Sequence, residues 1–420
     1  MSLPDRKAVP FRAGWLVAAL LAAGLAARAS YAYYVIASGH RTVYAANEFD
    51  PDGYDLLAHG LLDRGELSMV PGKLITEREP FYSLLLALAH LLFGRSPLIG
   101  IALNIVLGTL SCWLLYDLSR RIFQDETVGL LALAISCFLP EWIYFGAVMY
   151  RETLLAFLTT VWAVLWVRDD GQGRPRTYVL MGLVFGALAL TRSPMIPVGA
   201  VFTLMAARRL KPELWLRTLV PFLLCAFLLQ VPWTWRNYRV LGRFVAGSSM
   251  GGSVMYMSLL YDYSKPEVAF EESVRANKDP VIKLIRDRGL TTSEGEPLFY
   301  RAAREMMWRQ PGRFWAAFLH KAVKLWRPYP SSDWDYRHSQ RLFFWVGALT
   351  GGGVIAFGLI GGLLAWRGGY PIGFLVMVPA VMTVIYGFFW AVARYHAPLL
   401  FGLIPLAAIA MRRAAALVTE

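Results

Sequence analysis

Ionisable residues in this chain are sparse and gathered into a few short stretches. Acidic side chains open two of them, EFDPDGYDLLAHG with Asp50, Asp52 and Asp55, and TEREPFY with Glu77, Arg78 and Glu79. Further along come Arg151 and Glu152 in MYRETLL, Arg192 in LTRSP, Arg236 and Asn237 in PWTWRNY, and Arg394, Tyr395 and His396 in ARYHAP. A carboxylate within reach of a hydroxyl can take its proton as the oxygen becomes a nucleophile. Arginine forks hold anionic oxygens in two-pronged contacts. One arginine in such a place is most simply a snorkelling side chain or half of a rim ion pair. Arg192, Arg236 and Arg394 recur in the same kind of place, at the end of an apolar run, and together they point to an anionic ligand. The series Asp55, His59, Asp63 has metal-ligand spacing, but a solvated helix face accounts for it better and no dedicated metal site is expected. Neither GxxxxGK[ST] nor HExxH occurs, so neither ATP chemistry nor a zinc-protease helix is expected. The activated group would have to arrive by another route, and delivery on a lipid phosphate suits arginines placed at membrane depth.

The elements that must position these residues are membrane helices. Of 420 residues 57% are hydrophobic and 17% charged, against about 25% charged in soluble domains. The net charge of +13 on so apolar a chain fits a membrane that sorts charge better than it fits a nucleic acid partner. Cys112, Cys137 and Cys225 all sit in apolar runs, which leaves no pair for a disulfide framework or a zinc knuckle. Ten runs approach the roughly 20 apolar residues that a bilayer core requires. They cover 14 to 37, 97 to 117, 128 to 146, 152 to 167, 177 to 191, 195 to 207, 218 to 235, 342 to 366, 371 to 392 and 397 to 411. The first reads as a retained span, not a removed signal. Pro80 to Phe93 is too short to cross comfortably. If it stays at the interface, the clusters Arg6/Lys7/Arg12, Arg120/Arg121, Arg168/Arg174/Arg176, Arg208/Arg209/Lys211/Arg217, Arg367 and Arg412/Arg413 all fall on one side, which is the cytoplasm by the positive-inside bias. The expected architecture is therefore an all-α polytopic membrane protein of about ten spans. It divides into an N-terminal membrane module, 1–235, whose first outer loop is 38–96; an outer segment, 236–341, with amphipathic surface helices; and a C-terminal membrane module, 342–420. Gly347, Gly351, Gly358 and Gly362 form small-xxx-small pairs suited to close helix packing.

The order of these motifs resembles the membrane-embedded GT-C glycosyltransferases, in particular bacterial relatives of the dolichyl-phosphate-mannose protein mannosyltransferases and of the lipid A aminoarabinose transferase. The resemblance runs through DPDGYDLLA, REPFYSLLLALAHLLFG, YRETLLAFL, LTRSP, PWTWRNY and the RY-x-x-P of Arg394, Tyr395 and Pro398. It implies a polyprenyl-phosphate-linked sugar donor, a lipid, glycan or protein acceptor, and transfer with inversion at the periplasmic face of a bacterial inner membrane. In the roles it implies, Asp50 is the general base and Glu152 a second catalytic carboxylate. Arg192, Arg236 and Arg394 hold the donor phosphate. Tyr54, Arg78, Glu79, Tyr82 and His396 position the acceptor or the loops. No cofactor is implied, a divalent metal stays open, and nucleic acid is not a partner. Two other readings are an O-antigen-ligase-type transferase, which would place a catalytic pair in the second large outer loop, and a lipid-linked glycan flippase, which would carry polar residues at the bilayer midplane. Arg28 and Gln230 are the only candidates for such midplane residues.

Overall fold

A computed structural model describes residues 11–38, 50–260, 279–328 and 341–419. Arg6 and Lys7, and the stretches 39–49, 261–278 and 329–340 of the polar segments, lie outside the described residues. Among the described residues there are seventeen α-helices and, as the sole extended pairing, one isolated bridge, Val70 to Lys73. The first apolar run is α1 (Phe11–Ser38). Two short helices follow it, α2 (Tyr54–Arg64) and α3 (Phe81–Phe93). Then come α4 (Pro97–Phe123), α5 (Glu126–Phe138), α6 (Pro140–Ala147), α7 (Glu152–Asp169), α8 (Pro175–Thr191), α9 (Ile196–Arg209) and α10 (Pro212–Leu241). The second polar segment holds α11 (Gly251–Leu260), α12 (Pro280–Asp287), α13 (Glu296–Arg309) and α14 (Pro311–Leu325). The chain closes with α15 (Arg341–Arg367), α16 (Gly373–Phe388) and α17 (Leu400–Thr419).

Each of the ten apolar runs falls on these helices, which makes the chain an all-α polytopic membrane protein. Helices α1, α4, α10, α15 and the stretch ending in α17 are each long and apolar enough to cross a bilayer, and α5 with α6 makes a sixth if counted as one span. That pair bends by 53°. Pro140 supplies no N–H, and it holds Leu139 in an extended conformation (φ −64°, ψ 117°), as the residue before a proline prefers. Helix α3, at 13 residues, reaches about 20 Å, short of the roughly 30 Å hydrocarbon core.

Between membrane helices the lipid is as apolar as the core, so close approach and packing hold the bundle together. Gly182 and Gly186 of α8 lie against the α10 backbone and Leu229, while Gly358 and Gly361 of α15 lie against Leu403 and Leu406 of α17. Trp162 of α7 is the hub of an aromatic cluster, with ring centroids 5.0 Å from Phe185, 4.7 Å from Phe202 and 5.1 Å from Phe374. That cluster ties α7, α8, α9 and α16 together. Arg28 of α1 is fully buried and faces the bundle interior, where it donates to the carbonyls of Gly24, Ser136 and Cys137 and to the Cys112 sulfur.

The two ends of the bundle differ in charge. At one end Asp117 accepts from Arg120, Arg121 and, across from α7, Arg168, while Arg209 reaches Asp170 and Arg412 reaches Asp125. Members of four of the six expected cytoplasmic clusters thus meet at this end. At the other end lie the starts of α2, α3 and α7 and the end of α8, covered by α11 to α13 with a small core of Tyr256, Leu259, Ile285 and Phe299.

Candidate active site

The entry into α2 is built by Asp50 and Gly53. Asp50 is buried, and its carboxylate accepts the backbone N–H groups of Tyr54 (2.6 Å), Asp55 (2.8 Å) and Leu56 (3.2 Å). This satisfies donors that a helix start leaves unpaired. Gly53 takes φ +74°, a left-handed conformation natural to glycine. The sharp turn aims Asp52 and Tyr54 into a cavity of about 1130 Å³. Asp50 is not among the residues lining it. Burial pushes the Asp50 carboxyl up to about 6 despite its three donors.

Arg78, Arg151, Arg192 and Arg394 line the inner end of this cavity, and Met257, Arg286 and Tyr300 of α11 to α13 belong to its outer wall. Arg394 places a guanidinium nitrogen 3.1 Å from Asp52 Oδ2, and Arg78 approaches the same carboxylate at 3.7 Å. Arg151 pairs at 2.6 Å with Glu79, whose other oxygen accepts both the backbone N–H and the hydroxyl of Ser193 at 2.7 Å. Burial raises the Glu79 carboxyl, but Arg151 and Ser193 outweigh it and hold it below the ordinary range. Arg192 stacks over the Tyr395 ring at 3.7 Å and over Tyr386 at 5.2 Å. Behind these arginines, buried and outside the large cavity, Glu152 stands 3.7 Å from both Arg192 and Arg394. Neither Glu152 oxygen has a hydrogen-bond partner, nor do Arg192 Nε and Nη1. Four arginines therefore face Asp52, Glu79 and Glu152, with Glu77 on the same lining and donor capacity unspent on Arg192. Such an arrangement is ready to receive an anion, because unsatisfied buried donors are rare unless something else fills them.

Residues 77–235 match the family model described as dolichyl-phosphate-mannose-protein mannosyltransferase. An oligosaccharyltransferase from Archaeoglobus fulgidus, solved with a tethered acceptor peptide, superposes with a TM-score of 0.57 at 14% identity, over 97% of this chain and 50% of that one. The chain has the fold of that oligosaccharyltransferase. The oligosaccharyltransferase AglB from the same organism, in complex with an inhibitory peptide and a dolichol-phosphate, gives 0.55 at 15% identity over 97% and 52%. ArnT from Cupriavidus metallidurans, bound to undecaprenyl phosphate, gives 0.41 at 16% identity over 96% and 78%. The chain thus spans about half the length of the two oligosaccharyltransferase chains. No curated protein matches it in sequence.

Within this fold the expected site residues separate. Tyr54, Arg78, Glu79, Arg192 and Arg394 line the cavity. Asp50 shapes the turn, and Glu152 lies behind the arginines. The remaining three stand elsewhere. Arg236, expected at the donor phosphate, is not among the residues lining the cavity; its guanidinium donates to the carbonyls of Ile75 (2.8 Å) and Leu67 (3.5 Å) and stacks on Trp233. It fastens the loop after α2 instead of facing the cavity. Tyr82 is fully buried, with its hydroxyl donating to Asn104, and its ring packs edge-on against Tyr54. It supports the cavity wall from behind. His396 is buried, with Nε2 3.0 Å from the Glu141 carboxylate. It pins the turn that carries Arg394.

Two cavity residues had no assigned role from sequence. Asp52 competed with Asp50 for one motif, and only the turn at Gly53 separates them. Arg151 sits beside Glu152 and reads as half of a local pair, yet its partner is Glu79, 72 residues away. The stretch GSSMG has the GxSxG spacing of a nucleophile elbow, but Ser249 is spent on Thr76 and Ser293.

Proposed function

We propose that this chain transfers a sugar from a polyprenyl-phosphate-linked donor to an acceptor hydroxyl at the periplasmic face of a bacterial inner membrane, with inversion. One observation carries this reading: Asp52 opens into a large cavity at one end of a membrane bundle, within an inner wall of four arginines. The family described for residues 77–235 and the dolichol-phosphate in the AglB complex support a lipid-phosphate donor. Asp52 takes the acceptor hydroxyl proton as that oxygen bonds to the anomeric carbon, and the bond from that carbon to the phosphate oxygen breaks. The electron pair leaves with the lipid phosphate, where Arg192 and Arg394 meet the developing charge in a water-poor setting. Glu152 sets the spacing of those two arginines, and Glu79 fixes Arg151. Attack from the face opposite the phosphate inverts the anomeric centre. Arg28, the charged candidate for a midplane transport group, spends both terminal guanidinium nitrogens on carbonyls and a thiol, which does not favour a flippase.

The test is mass spectrometry of envelope glycolipids and glycoproteins from cells with the wild-type chain, without it, and with Asp52→Asn. A glycan lost in both altered strains is the expected result. An unchanged glycan profile in all three sinks the proposal.

A further inference from the structure

Helix α2 carries Asp55 and His59 one turn apart, and α3 brings His90 to meet them. His90 Nε2 lies 2.6 Å from Asp55 Oδ1, and His59 Nδ1 lies 3.6 Å from Asp55 Oδ2. The two imidazole rings stand 4.9 Å apart at 31°, and one ligand atom from each of the three residues falls within 4.8 Å of the others. Asp63, which continues the i, i+4, i+8 series, is drawn off to Arg95. Sequence spacing thus contained two of the three members, and the third came from another helix.

His90 Nδ1 lies 3.3 Å from the Gly94 carbonyl, and His59 Nδ1 lies 3.0 Å from the Asp55 backbone carbonyl as well as near its carboxylate. Two imidazoles and a carboxylate from two helices thus converge where one cation can bridge them. The carbonyl on the far nitrogen is the usual way a ligating histidine is oriented. His90 is completely buried and Asp55 nearly so, while His59 keeps 29% of its side chain exposed, leaving the fourth position open to water. Two imidazoles and a carboxylate with an open position suit zinc and its neighbours more than calcium or magnesium. Tetrahedral bonds of about 2.0 to 2.2 Å put ligand atoms roughly 3.3 to 3.6 Å apart, so the Nε2 to Oδ1 gap opens by less than about 1 Å on binding.

The geometry points to Asp55, His59 and His90 as a binding site for one divalent transition-metal ion of the zinc class, clamping α2 to α3. The clamp sits on the helix whose first turn presents Asp52 and Tyr54, and it stands apart from the reaction proposed for the cavity. Full-length protein in detergent, stripped with a chelator, is titrated with zinc chloride by calorimetry and followed by thermal unfolding. One ion per chain and a rise in unfolding temperature are expected. His59→Gln, at a half-exposed position that leaves the fold intact, lowers zinc affinity by more than about a hundredfold, beyond what even a supporting partner of a ligand costs, and cancels the thermal shift. Asp63→Asn leaves both unchanged. Cobalt in place of zinc gives visible bands of a four-coordinate site in the wild type and not in His59→Gln. Failure of the stripped wild type to bind zinc at micromolar concentration, or equal binding by His59→Gln, overturns the site.

Discussion

A carboxylate whose two oxygens already accept three backbone N–H groups has little lone-pair capacity left for a substrate proton. Asp50 is in that position and Asp52 is not. Geometry takes precedence over a raised carboxyl in choosing a general base. Asp52→Asn should therefore lower turnover by roughly a hundredfold or more, measured as release of polyprenyl phosphate by the purified enzyme. A smaller loss for Asp52→Asn than for Asp50→Asn would return the role to Asp50. The raised Asp50 carboxyl has its own signature. Its folded value, about 6 against 3.8, means the native state binds the proton more tightly than the unfolded chain. Stability is helped below pH 4 and that help is lost as pH rises to 6. The term is about 3 kcal/mol at this shift. Wild-type unfolding temperature should fall across that window more steeply than that of Asp50→Asn; parallel curves would contradict it. At the phosphate end, Arg394→Ala should weaken polyprenyl-phosphate binding by roughly tenfold to a hundredfold, from charge-assisted bonds of about 1.5 to 3 kcal/mol. Lysine should restore it only in part. Arg236→Ala should bind like the wild type, and an equal loss there would put Arg236 back in the site. Arg192 and Arg394 were legible in sequence because each ends an apolar run where cations are disfavoured. Arg151, Asp52 and the fate of Arg236 were not, since a long-range partner and a single left-handed glycine decided them.

At the scale of helices the apolar runs carry most of the information, because length and hydrophobicity alone specify a membrane helix. The short α3 was readable for the same reason. What the runs do not encode is which face of a helix meets which neighbour. The small-residue spacing marked α15 as a packing helix, and Gly358 does lie against α17, but the tightest approach is at Gly361, outside the Gly347/Gly351 and Gly358/Gly362 pairs. A Cβ at Gly361 would overlap the Leu406 carbonyl oxygen, while one at Gly353 meets nothing within 4 Å. Gly361→Ala should therefore cost about 1 to 3 kcal/mol through overpacking, seen as a lower unfolding temperature in detergent, and Gly353→Ala should leave it unchanged. Equal behaviour of the two variants would mean that α15 and α17 do not pack as described. His90 illustrates the same limit, since nothing in its own stretch announces two ligands on α2.

Across the whole molecule, charge sorts the two ends. Reporter fusions at Arg121 and Arg209 should score cytoplasmic and a fusion at Gly289 outside; a cytoplasmic Gly289 would turn the cavity to the wrong side for a lipid-linked donor. Asp117, held by Arg120, Arg121 and Arg168, then has a mechanical meaning. It rivets α4 to α7 at the end remote from the cavity, and the Arg412 to Asp125 pair does the same for α17 and the start of α5. A bundle fastened at one end and hollow at the other behaves like tongs, whose jaws travel while the pivot stays still. Admission of a long lipid tail should then spread the cavity walls at Arg78 and Arg286 and leave Arg176 and Arg413 at constant separation. Spin labels at those two pairs of positions, compared with and without polyprenyl phosphate, would read the difference as one distance that changes and one that does not. Asp117→Asn loosens the pivot, so in that variant the far pair should move as well.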